Sequence, residues 1–126
     1  MPRELTEKEK AAFAANPAFE NAAERESKQL LEKPADDELL DLYGLYKTGC
    51  DEDITEYQKG HKNAKAKKVP GMFDFKGKAK LRAWEAVVND GVNAEEAQKR
   101  YIATVEELKE KYGFDAAKEP EVVGSS

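Results

Sequence analysis

Apolar positions along this chain recur three and four residues apart, and no stretch sustains the alternation of a strand. Thr6 followed by Glu9 fits a capping box, which opens a short alanine-rich helix that stops near Asn16-Pro17. From Phe19 to about Leu31 a charged helical pattern places Phe19, Ala22, Ala23 and Leu30 on one face. Pro34 breaks it, and Asp36 is placed to cap the next helix, "DELLDLYGLYKTG", which should end near Gly49. "VPGMFD" reads as a turn, with Asp74 capping a helix that runs to about Asn89. Asn93 with Glu96 repeats the capping logic for a last helix. There Ala94, Ala97, Tyr101, Val105, Leu108 and Tyr112 form one stripe, and Gly113 supplies the stop. The 24 residues between Gly49 and Asp74 are long for a bundle loop. A connection of that length can recross a helix, so the helices it joins are expected to run parallel.

Composition narrows the class. The chain has 126 residues, 37% of them charged and 40% hydrophobic, enough for one small helical domain with a heavily charged surface. Net charge is −5, with pI 5.1, which argues against generic nucleic-acid binding. One cysteine, Cys50, and one histidine, His61, exclude an intrachain disulfide and make a zinc cluster improbable; neither is assigned a role. There is no signal-peptide pattern and no apolar run near the ~20 residues that span a bilayer. The expectation is a soluble cytoplasmic protein, a monomer without stable membrane insertion. No P-loop, nucleophile elbow or HExxH is present, so the expectation is a non-enzyme.

The candidate chemistry sits on two helices. At about 100° per residue, Leu39, Tyr43, Tyr46 and Lys47 fall within an arc of roughly 100°. Two phenols and an ammonium on one face suit a phosphate beside an aromatic base, through hydrogen bonding, stacking and charge. A core stripe whose tyrosines reach water has the same pattern, and the residues alone leave both open. In "GMFDFKGKAKLRAW", Lys76 and Lys80 share a face beside Trp84, while Lys78 and Arg82 point to solvent. Surface lysines flanking a core tryptophan would look no different. "YQKGHKNAKAKK" has five lysines and no acid, and reads as a solvated loop that could reach a phosphate.

Three blocks, "KPADDELLDLYGLYK", "PGMFDFKGKAK" with "AW" after it, and "YIATVEELKEKYG", together resemble the acyl-CoA-binding protein family, over about residues 18–115. The resemblance implies an all-α four-helix bundle with one long crossover, and binding of medium- to long-chain fatty acyl-CoA without turnover or cofactor. It implies an intracellular carrier and buffer. The phosphorylated adenosine end would be held by Tyr43, Tyr46 and Lys47 of the "LYGLYK" block, with Gly44 and Leu45 between them. Lys76 and Lys80 would add charge, Tyr101 would contribute from the last helix, and Lys28 matches a lysine of the first. Leu39 and Leu40 are candidates for the acyl groove. The chain departs from the family in an extension over residues 1–17, an insert around 57–67 and a tail over 116–126. Leu81 stands at a position that is commonly tryptophan, which bears on chain-length preference and affinity. A net acidic surface elsewhere is expected to keep such a carrier off anionic membranes. The rival reading is a helical protein-interaction module using the Tyr43/Tyr46/Lys47 face.

Overall fold

The structure, a computed structural model, describes residues 4–58 and 69–118. Among the described residues there are five α-helices and no strand: α1 (Glu7–Ala15), α2 (Pro17–Glu24), α3 (Asp36–Gly49), α4 (Phe75–Asn89) and α5 (Ala94–Tyr112). Short 3-10 turns lie at Glu26–Lys28 and Ile54–Tyr57. Helix α3 is the spine, carrying α4 on one flank and α5 on the other. The local signals hold where they were expected. Thr6 accepts from the Glu9 N–H at 3.1 Å while Glu9 accepts from the Thr6 N–H at 2.9 Å. Asp74 accepts from the Gly77 N–H and Asn93 from the Glu96 N–H, both at 2.8 Å. Gly113 closes α5 at φ +82°, a conformation that favours glycine. The start of α3 differs. Ala35, not Asp36, takes the cap position, and Glu38 reaches back to the Ala35 N–H at 2.9 Å.

The α5 stripe is the centre of the core: Ala97, Tyr101, Val105 and Leu108 are buried against Phe19, Ala22, Leu42 and Leu45. Gly44 lets α4 approach, since a Cβ there would lie 2.8 Å from the Ala83 carbonyl oxygen. The helix expected over 19–31 is shorter than its pattern. It ends at Glu24, turns through Glu26–Lys28, and delivers Leu30 to a single antiparallel pairing with Phe114. Tertiary hydrogen bonds override the helical periodicity at this point. The buried Gln29 donates to the Ala116 and Lys118 carbonyls, both at 3.0 Å, and the Leu31 N–H donates to the Gly113 carbonyl. Residues 113–118 are therefore tied to the bundle, including the first three of the expected tail. Residues 119–126, and the lysine-rich segment 59–68, lie outside the described residues.

The expected N-terminal extension is part of the packing. The ring of Phe13 in α1 lies tilted against Phe19 and Tyr46, with centres 5.7 Å and 6.3 Å away. Glu9 is only 5% exposed, and its carboxylate accepts from the Tyr46 hydroxyl. The Gln98 amide ties this end to the bundle, accepting from Asn16 at 3.1 Å and donating to the Gly49 carbonyl at 2.8 Å.

A pH dependence follows from the other end of α3. Glu38 accepts from the Tyr112 hydroxyl, the Ala35 N–H and, at 3.0 Å, the Lys111 ammonium. In that order, these bonds hold its carboxyl down to about 2 from an ordinary 4.5. A depressed folded-state value means stability that is present above the unfolded value and lost as pH falls through the folded one. Glu38→Gln should therefore lower the melting temperature at neutral pH, with the gap closing between pH about 5 and about 2. A gap that stays constant down to pH about 2 in thermal scans would refute the assignment.

Candidate ligand-binding site

The flank of α3 that faces α4 gathers charge and aromatic surface in one place. Trp84, one turn beyond Lys80 on α4, is 1% exposed yet stands outside the main core cluster. Its ring meets Tyr57 edge-on, with centres 5.0 Å apart. Tyr57 is held there by the second 3-10 turn. Asp53 caps that turn through the Thr55 N–H at 3.0 Å, and Gln58 at its end donates to Glu85 of α4 at 2.8 Å. The Lys47 ammonium lies 5.5 Å from the Tyr57 ring centre, 5.8 Å from Trp84 and 5.9 Å from Tyr43. Lys80 approaches the same Tyr43 ring at 5.3 Å. Tyr43 thus sits between two cations supplied by two helices, an arrangement that cation–π attraction stabilises.

Electrostatics fix the protonation states. Burial alone would push the Lys47 ammonium down, but the Tyr43 and Tyr57 phenols and Glu52 outweigh it and hold it above its ordinary value. Burial pushes the Tyr43 phenol up, against the opposing pull of Lys47. At neutral pH the site accordingly presents a neutral O–H donor between ammoniums. Glu52 is paired with Lys47 at 3.8 Å and offsets only one of the two positive charges. An anion with an aromatic or apolar body matches such a site: charge-assisted donors for its oxygens, ring faces and edges for the rest.

The other sequence candidates distribute around this core of the site. Lys76 is exposed, one turn before Lys80 on the same helix. Lys78 does not extend freely into solvent; it folds back so that its ammonium donates to the Met72 carbonyl at 2.7 Å. Leu39 and Leu40 are half-buried on α3, while Gly44 and Leu45 are buried and turned to the packing. Tyr46 and Tyr101 lie together in an aromatic group with Phe13 and Phe19, their ring centres 6.1 Å apart, away from the Tyr43–Lys47 pair. A ligand oxygen that reached the Tyr46 hydroxyl would have to displace the Glu9 carboxylate. Tyr101 is buried, which raises its phenol to about 12. Lys28 stands on the first 3-10 turn, paired with Glu24 at 3.5 Å. Cys50 is buried, and desolvation lifts its thiol to about 12, far from a reactive thiolate. Tyr57 is the residue that sequence periodicity missed. Its one signal was an aromatic ring at the head of a lysine run.

A wide groove in the described structure lies elsewhere. About 690 Å³ in volume, it opens between α3, α4 and α5 against Leu45, Ala83, Val87 and Arg100, and shares no residue with the Tyr43–Lys47–Lys80 group. Its one cation, Arg100, is already engaged by Asp90 and Glu96, each at 3.2 Å. Chemistry and volume disagree here, and the aromatic-cation cluster is the better site because it offers charge that is not fully neutralised.

Comparison with known proteins decides the family. The model of the acyl-CoA-binding protein family matches residues 16–105, which include α2, α3, α4 and most of α5. The chain belongs to the acyl-CoA-binding protein family. It is 44% identical over 96 residues to "Acyl-CoA-binding protein homolog 1" of Caenorhabditis elegans, covering 76% of this chain and 95% of that one. To the "Acyl-CoA-binding protein" of Dictyostelium discoideum it is 38% identical over 94 residues, 75% of this chain and 95% of the other. The acyl-CoA-binding protein match starts at Asn16, so α1 lies outside it although its side chains reach into the same core.

Proposed function

We propose that this protein binds medium- to long-chain fatty acyl-CoA and serves as a carrier and buffer for it, without turning it over. The observation that carries this reading is Tyr43 set between Lys47 and Lys80, with Trp84 and Tyr57 closing the far side of Lys47. The phosphorylated end of the ligand takes the two ammoniums and the Tyr43 hydroxyl as donors. Lys76, exposed on the adjoining turn, adds attraction at the edge. The ligand's thioester tail leaves along α3 by way of Leu39 and Leu40. Tyr46 and Tyr101 contribute by fixing α3 against α2 and α5, and Tyr46 adds a hydroxyl where Glu9 yields it.

The physical need is plain. Acyl-CoA joins a polyanion to a detergent-like chain, and in water the chain drives it into bilayers and micelles. A binder must offer cations and apolar surface side by side, as this flank of α3 does. Calorimetric titration tests it: palmitoyl-CoA should bind one per chain, and palmitate, lacking the phosphorylated head, far more weakly. Equal affinity for the two would sink the reading. Binding should also raise the melting temperature, by ~2.7 kcal/mol of linkage at 100-fold excess over the dissociation constant.

A further inference from the structure

At the N-terminal tip of α4, three large apolar side chains project into solvent: Met72 is 74% exposed, Phe73 81% and Phe75 71%. Residues of this kind are normally scattered singly, and three within four positions form a patch that calls for a partner. Nothing in the described structure covers them, and they stand where a turn leads into a helix end. An exposed apolar tip of this kind suits insertion into a soft, deformable surface.

The charge around the tip identifies that surface. Lys76 is exposed beside it. Lys78 is held at its edge, donating to the Met72 carbonyl at 2.7 Å with its ammonium 5.9 Å from the Phe75 ring centre. The acid of the patch, Asp74, is engaged as the cap of α4 through the Gly77 N–H. In sequence, the stretch from Lys59 to Lys80 holds eight lysines against Asp74 alone, a net +7 in a chain whose total is −5. In sequence, therefore, the stretch that contains the exposed apolar residues is basic, and the rest of the chain is net acidic.

We infer that the Met72–Phe73–Phe75 tip is a reversible docking element for anionic lipid bilayers, with the aromatic and thioether side chains entering the headgroup boundary and Lys76 and Lys78 meeting the lipid charge. Apolar insertion and a basic cluster together are the two signals that give reversible membrane attachment. No described helix is long and apolar enough to cross a membrane, so attachment is peripheral. The acidic remainder of the chain orients the protein tip-first and limits its residence. The inference goes beyond the carrier reading and does not depend on it.

Co-sedimentation of the full chain, without acyl-CoA, tests it on vesicles of phosphatidylcholine alone and of phosphatidylcholine mixed with phosphatidylserine. The mixed vesicles should capture the protein and the neutral ones should not, with capture falling as salt shortens the Debye length. Met72→Ser with Phe73→Ser should reduce partitioning at least ~tenfold, and Lys78→Ala roughly fivefold. All three side chains lie outside the proposed acyl-CoA contacts. The melting temperature of each variant, expected to stay at the parent value, separates lost docking from lost fold. No capture by the mixed vesicles would overturn the inference and leave the tip to a protein partner. Equal capture of the parent and the Met72→Ser/Phe73→Ser variant would overturn it as well, as would equal capture by the two kinds of vesicle.

Discussion

Replacing Lys47 or Lys80 by alanine should each weaken palmitoyl-CoA binding by about ten- to a hundredfold, because a charge-assisted hydrogen bond to phosphate contributes ~1.5–3 kcal/mol. Lys78→Ala should change it less than about threefold, since that ammonium lies at the helix tip against the Met72 carbonyl while Lys80 is the lysine over Tyr43. The pair is not expected to be additive. Lys47 and Lys80 approach the same Tyr43 ring, at 5.9 and 5.3 Å, so removing one relieves repulsion on the other and lets the ligand re-centre. Lys47→Ala also leaves Glu52 without its cation on the rim of the site, which adds a repulsive charge toward the incoming phosphate. The loss at Lys47 should therefore exceed the loss at Lys80. Isothermal titration of the three single variants and the double variant decides the matter. Matching affinities for Lys78→Ala and Lys80→Ala would mean that α4 presents its lysines differently from the arrangement described.

How far the sequence alone could reach depended on whether a feature was local. The caps at Thr6, Asp74 and Asn93 and the stop at Gly113 are decided within three or four residues, so side-chain chemistry and spacing sufficed. The stripe of α5 was legible because that helix has one dominant buried face, which holds Ala97, Tyr101, Val105 and Leu108; the buried face of α3, through Leu42, Gly44, Leu45 and Thr48, is not the one its tyrosines marked. What one helix cannot reveal is how its neighbours divide an arc. Tyr43, Tyr46 and Lys47 fall within ~100° of one another, yet α4 takes Tyr43 and Lys47 while α1, α2 and α5 take Tyr46. The early end of α2 was hidden for a related reason. Gln29 is drawn into hydrogen bonds with Ala116 and Lys118, more than eighty positions away, and no window of periodicity contains them. Tyr57 escaped notice because its turn has no repeating pattern, only a ring whose partner, Trp84, lies on the other side of the long connection.

That partnership sets the largest stability effect expected in this protein. Trp84 is the only fully buried side chain on α4, and the helix depends on it for anchorage against the Tyr57 turn and the α3 flank. Truncating a buried tryptophan to alanine costs ~3–5 kcal/mol through lost transfer energy and the cavity left behind. A domain of this size has little more than ~5–15 kcal/mol in total, so Trp84→Ala should bring the chain close to its unfolding threshold in denaturant titrations followed by circular dichroism. Trp84→Phe keeps a ring against Tyr57 and a face toward Lys47, and should retain more than half of that contribution while weakening acyl-CoA binding only modestly. The order separates anchorage from recognition. If Trp84→Ala cost under ~1 kcal/mol, α4 would be held by Gly44–Ala83 contact and surface pairs instead. Trp84 is also the sole tryptophan of the chain, so fluorescence of the unaltered protein reports on this site alone. Its emission should change on addition of palmitoyl-CoA with the same stoichiometry as the heat of binding, because the ammonium beside it, Lys47, is one of the two proposed to engage the phosphate.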